Sequence, residues 1–217
     1  RVLAALARAD FLERTRRSST LITLMAMLFM AWQAMPSNPR QFSMSVQLGD
    51  YRGVYNSAWV GGLLTMLVTT LLTLIGFYLV KNAVERDRLT GVGEILATTP
   101  LGKPAYTLGK TLSNFLFLAA LPATLWVAGM GMQLLRGEER HLDPWIMAQP
   151  LLVISLPALA LAAALAVLFE CIRWLRGTLG NVVYFFLWTF SLVSGMTSRI
   201  DLLGISALQA SMGAACQ

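Results

Sequence analysis

Charge is scarce in this sequence. Of 217 residues only 13% are Asp, Glu, Lys or Arg, against about a quarter in an ordinary soluble domain, and 56% are hydrophobic. That balance excludes a disordered chain and a water-soluble fold, and the mean hydropathy of +0.63 points to hydrocarbon as the solvent. Cysteine is nearly absent. Cys171 and Cys216 cannot make a disulfide scaffold or a zinc cluster. Only one histidine is present, His141, among Glu138, Glu139 and Asp143. A solvated polar loop describes it better than a metal site, and no metal is expected. A membrane-embedded hydrolase would need a nucleophile beside a base, or several ligands, and the apolar runs contain no acid to help build one.

Long uncharged runs are present instead. Residues 58–80 carry no charge and, as a helix, reach about 34 Å, enough for a hydrocarbon core of about 30 Å. Runs at 111–135, 146–169 and 178–198 are similar, and 18–35 is shorter but also uncharged. Strict alternation is missing, so a β-barrel is excluded; backbone groups in lipid must then pair within helices. The expectation is an all-α polytopic membrane protein with about five transmembrane helices within 18–198. Residues 1–17 place Leu3, Leu6, Ala7 and Phe11 near helical spacing, with Arg8, Glu13, Arg14, Arg16 and Arg17 polar, as an interfacial helix would. A cleaved leader is the weaker reading of the arginines before the first run, because four further runs require insertion anyway. Residues 199–217, with Arg199 and Asp201 at their start, read as an external or re-entrant piece.

Twelve of the 17 Lys and Arg fall at the N-terminus, in 81–110 and in 171–177. By the positive-inside rule those segments are cytoplasmic, which puts the N-terminus inside and 36–57, 136–145 and the tail outside. The two cysteines then lie on opposite faces and cannot pair within one copy. Trp32, Trp59 and Trp145 fall at expected outer boundaries and Trp174 at an inner one. Glu170 precedes Arg173 by three residues, a spacing suited to a local ion pair.

The connector KNAVERDRLTGVGEILATTPLGKPAYTLGK is more elaborate than orientation requires. Leu89, Val92 and Leu96 recur at helical intervals, with Ile95 beside them and Glu94 and Thr98 on other faces. Pro100 disfavours the α conformation at Thr99 and ends that helix, while Pro104 suits the start of the next. A short amphipathic helix slung between two spans can act as a lever on a soluble partner. The bland alternative is a solvated connector whose bases only orient the chain.

Glu85, Arg86, Asp87, Arg88, Thr90, Gly91, Glu94, Leu96, Thr99, Pro100, Leu101, Gly109 and Lys110 resemble the ER(D/E)R…TG…E…L…TPL…GK pattern of type-2 ATP-binding cassette permeases. The match at motif level covers 85–110; the layout of interfacial helix and spans is similar over nearly the whole chain. The resemblance implies a cytoplasmic coupling helix between spans 2 and 3, within 85–104, that docks on a separate ATPase through Arg86, Asp87, Arg88, Thr90, Gly91, Glu94, Ile95, Thr98 and Thr99. It also implies a second copy or homologue of the permease, a sixth span beyond Gln217, and an exporter in a bacterial inner membrane. Gly93 departs from the family's better helix formers at that place.

An ATP site in this chain itself is excluded, since a phosphate loop would need Gly at Ala97 and Ser or Thr at Pro104. ATP and magnesium therefore belong to the partner, this chain is not expected to be an enzyme, and no nucleic acid is expected among its partners. Gly61, Thr65, Thr69 and Thr73 repeat every four residues along one stripe. Close helix packing, with threonine hydroxyls bonded to the preceding turn, is the plainer reading; with Asn114, the three threonines are also candidates for a translocation surface. The competing function is half of an ion-gradient-driven transporter, but the centres of the runs hold no ionisable residue.

Overall fold

The computed structural model describes residues 11–35, 47–48, 51–52, 54–82, 102–197, 201 and 203–214. It is helical apart from one antiparallel pair, β1 (Gln47–Leu48) and β2 (Tyr51–Arg52), registered Gln47 to Arg52 and Leu48 to Tyr51. The helices are α1 (Ser18–Gln33), α2 (Ser57–Val80), α3 (Lys103–Arg136), α4 (Pro144–Cys171), α5 (Thr178–Thr197) and α6 (Ile205–Ala214). Four of them, α2 to α5, are long and apolar enough to cross a membrane.

The first expected span is the exception. α1 has 16 residues, about 24 Å of helix, short of the ~30 Å hydrocarbon core. The helical turn at 11–15 before it is separated from it by a break at 16–17. There Arg14 does not stay on a polar face as its spacing predicted. It is 2% exposed, its guanidinium lies 5.7 Å from the Phe117 ring, and its carbonyl accepts the Thr20 hydroxyl at 2.8 Å. Attraction to the ring face compensates for part of the lost hydration.

Local chemistry sets the helix starts. Asn56 accepts the Trp59 N–H at 2.9 Å and begins α2; Asp143 accepts from Trp145 and Ile146 and, with Pro144 behind it, begins α4. Asp201 begins α6 by accepting from Ile205, Ser206 and Ala207. Small residues then set how closely helices approach. A Cβ on Gly61 would sit 2.6 Å from the Met147 carbonyl oxygen, and one on Gly62 2.8 Å from Met212 Sδ. Gly76 faces Leu118, and Gly129 faces Leu64. Thus α2 lies between α3, α4 and α6, and its membrane-length window is 56% buried, against 11% for the peripheral α5. Ala158, Ala162, Ala163 and Ala166 are buried on α4 for the same reason.

α2 and α4 each contain one π-helical turn, Val68–Leu72 and Leu151–Ser155. In α4 the cause is Pro157: a proline lacks an N–H and its ring collides with the carbonyl four residues back, which a wider turn relieves. The Leu156 N–H accordingly reaches Leu151 O, five residues back. In α2 the Thr73 hydroxyl competes for backbone acceptors, donating to Thr69 O at 2.5 Å.

Trp145 and Trp174 are exposed at 67% and 83%, as interfacial indoles would be, whereas Trp59 is 7% exposed and belongs to the core. Trp59 packs inward because its position in the first turn of α2 faces the bundle.

Candidate functional site: the basic end of the bundle

The bundle has two ends. One gathers Arg14, Lys81, Lys110, Arg173 and Arg176; the other carries the β-pair and the 137–143 loop. The expected coupling segment lies outside the described residues over 83–101, and with it Arg86, Asp87, Arg88, Thr90, Gly91, Glu94, Ile95, Thr98 and Thr99. Both of its mounts are described. It leaves α2 at Lys81 and Asn82 and rejoins the chain at Gly102, so both attachments are at the basic end.

The first mount is held by hydrogen bonds to α5. Lys81 Nζ donates to Gly177 O at 3.0 Å and Asn181 Oδ1 at 2.6 Å, and Tyr78 donates to Asn181 O at 3.0 Å. Burial pushes the Lys81 ammonium below its ordinary value, and the Glu170 carboxylate opposes that shift. Asn82 then takes a left-handed conformation, φ 70°, which asparagine tolerates at a helix end. One turn deeper Phe77 stacks on Tyr184, ring centroids 3.6 Å apart, with Phe169 edge-on at 5.4 Å. Tyr184 donates to Thr73 O at 2.8 Å and Trp188 Nε1 to the Thr73 hydroxyl at 3.1 Å. Glu170 is 1% exposed, and Arg176 Nε donates to its main-chain oxygen at 3.0 Å, while Arg173 is exposed. The bond to residue 170 thus comes from Arg176 to the main-chain oxygen, which is not the side-chain ion pair with Arg173 that the spacing suggested.

The second mount, at the start of α3, has Lys103 and Pro104 in its first turn. Lys110, Ser113 and Asn114 are buried on that helix. Among the described residues, the Ser113 hydroxyl and both amide atoms of Asn114, itself 0% exposed, have no hydrogen-bond partner. Asn114 therefore faces the bundle interior.

Thr65, Thr69 and Thr73 are buried too, at 0%, 0% and 2% exposure. Thr65 donates to Gly61 O at 2.7 Å and Thr73 to Thr69 O, the packing pattern expected of such a stripe. Thr69 Oγ1 instead meets Ser155 Oγ at 2.9 Å, across to α4.

Sequence reasoning missed the polar core of the opposite end. Gln133 is 0% exposed and takes the Ser57 hydroxyl at 3.1 Å, while its Nε2 donates to the carbonyls of Glu139 and His141 at 3.2 and 3.1 Å. Arg136 donates to Trp32 O and Met35 O at the end of α1 and stacks over the Trp32 ring at 3.6 Å. One signal was available: a glutamine within the last turn of a long apolar run, followed by a loop whose carbonyls need donors.

Chemically, the described residues offer packing and anchoring. No group of three His, Cys, Asp or Glu that could hold a metal occurs among them, and Cys171 is exposed while Cys216 lies outside them.

No known protein family, curated protein or solved structure matches this chain.

Proposed function

We propose that the chain is the membrane-spanning permease subunit of an ATP-driven transporter, an exporter in the cell membrane, paired with a second copy or a homologue. A separate ATPase docks on residues 86–99. One observation carries the reading: the ER(D/E)R…TG…E…L…TPL…GK pattern occupies the connector between two membrane-length helices. The anchoring of α2 to α5 at Lys81 supports it, because a lever transmits force only from a fixed base. In this reading the basic end is cytoplasmic, the ATP and its magnesium are held by the partner, and the threonine stripe holds the body of the permease together.

The test is co-purification of the intact chain with an ATPase identified by mass spectrometry, alongside a chain whose residues 86–99 are scrambled. The expected outcome is loss of the ATPase and of its stimulation, with helical content unchanged. Retention of both by the scrambled chain contradicts the reading.

A further inference from the structure

Two helices carry a π turn and a third an internal proline at one level of the bundle. The π turns are Val68–Leu72 in α2 and Leu151–Ser155, between Pro150 and Pro157, in α4. The proline is Pro122, inside α3. Contacts fix their common level. α3 runs antiparallel to α2, with Leu118 against Gly76 and Gly129 against Leu64, so Pro122, one turn beyond Leu118, comes level with Leu72. Thr69 and Ser155 bring the two π turns together through their hydroxyls.

On either side of that level the helices form separately fastened blocks. Toward the β-pair, Gly61 of α2 packs on the Met147 backbone of α4, and Gln133 and Ser57 tie in α3 and the 137–143 loop. Toward the basic end, Phe77 packs on Phe169 and Tyr184, and Lys81 is bonded to Gly177 and Asn181. Apolar grooves open beside both π turns. One of about 250 Å³ between α1 and α2 is walled by Thr70 and Leu71. Another of about 550 Å³ between α3 and α4 is walled by Pro122, Leu151 and Leu152. The blocks thus have space to tilt where backbone bonding is least regular.

The geometry points to a transverse hinge: the two blocks rock against each other about the level of Thr69, Pro122 and Ser155, and the hydroxyl pair Thr69–Ser155 latches one of the two positions. π turns and internal prolines are the places where long helices bend. One buried hydrogen bond is large enough to bias a two-state equilibrium without freezing it. The hinge is a property of this chain and does not depend on what drives it.

The experiment is double electron–electron resonance on the chain alone in lipid nanodiscs, with Cys171→Ser and Cys216→Ser, diluted in unlabelled chain. Spin labels go on exposed positions. The pairs Trp145→Cys with Leu168→Cys, and Val127→Cys with Leu112→Cys, span the hinge; Val127→Cys with Trp145→Cys, and Leu112→Cys with Leu168→Cys, lie within one block each. The expected result is one distance within blocks and two across the hinge, with Thr69→Val and Ser155→Ala together changing the ratio of the two about fivefold, the factor for one net hydrogen bond. A single cross-hinge distance that splits only in the double variant also supports the latch. Cross-hinge distances as narrow as the controls in both proteins overturn the hinge, as does equal broadening of all four pairs; a ratio unmoved by the double variant overturns the latch. Ser155→Ala alone replaces the double variant should that fail to fold. Because no ATPase is present, failure of the transporter reading leaves this result unaffected.

Discussion

Three polar side chains of this bundle fare differently, and each makes its own prediction. Gln133 is satisfied on both sides of its amide, so Gln133→Leu removes the nearer acceptor of the Ser57 hydroxyl and the amide donor to two loop carbonyls. Thermal unfolding in detergent should show a loss of about 1–3 kcal/mol. Asn114 is the converse, a buried amide with no partner for either atom among the described residues. Asn114→Leu should be neutral or stabilising in the same assay, since it removes an unmet desolvation cost. If Asn114 serves translocation, the variant loses transport while keeping or gaining stability. Asp201 is held by its surroundings: burial raises its carboxyl, but bonds from the Ser206 hydroxyl and from backbone N–H groups at Ala207, Ser206 and Gly204 outweigh that and leave it below the usual carboxylate range. A depressed folded value means the stabilisation is complete above the unfolded value of about 3.9 and is lost as pH falls through the folded one. Hydrogen exchange at Ile205–Leu208 should accelerate below that point, and Asp201→Asn should flatten the dependence.

At the scale of elements, close approach decides what a position tolerates. Gly61→Ala places a methyl against the Met147 backbone, which cannot step aside as a side chain would, so α2 and α4 must separate and stability should fall by about 1–3 kcal/mol. Gly131→Ala meets nothing within 4 Å and should stabilise α3 by up to about 1 kcal/mol. Paired melting curves check both. The same contrast explains what could be read from the sequence. Absence of charge located 58–80, 111–135, 146–169 and 178–198, which fall within or close to α2 to α5, because hydrocarbon penalises charge whatever the packing. It overestimated 18–35, where an uncharged run gives only a 16-residue helix. The π turn of α2 was invisible, since hydrophobic periodicity does not register one extra residue in a turn, whereas Pro157 marked a distortion in α4. The long-range arms of the Gln133 and Arg136 networks were invisible as well, because they join residues more than 70 positions apart; only the glutamine at the end of an apolar run hinted at the first. The short α6 falls within 199–217, read as an external or re-entrant piece, and the contacts of that piece were not legible: Met212 lies against Gly62 and Gly204 against Ile154.

At the scale of the whole molecule, the chain is a set of apolar helices with most of its described cations at one end, where α2 and α3 are joined by an elaborate connector. The motif in that connector was legible residue by residue, whereas the contacts proposed for it are with another polypeptide and leave no signal in this chain. The most direct test replaces Glu94 with a photo-crosslinking amino acid in intact cells and identifies what it captures. The account predicts a protein bearing its own phosphate-binding loop, captured from the cytoplasmic side. Crosslinks to lipid or to this chain alone, or labelling of position 94 by a reagent confined to the cell exterior, would contradict it.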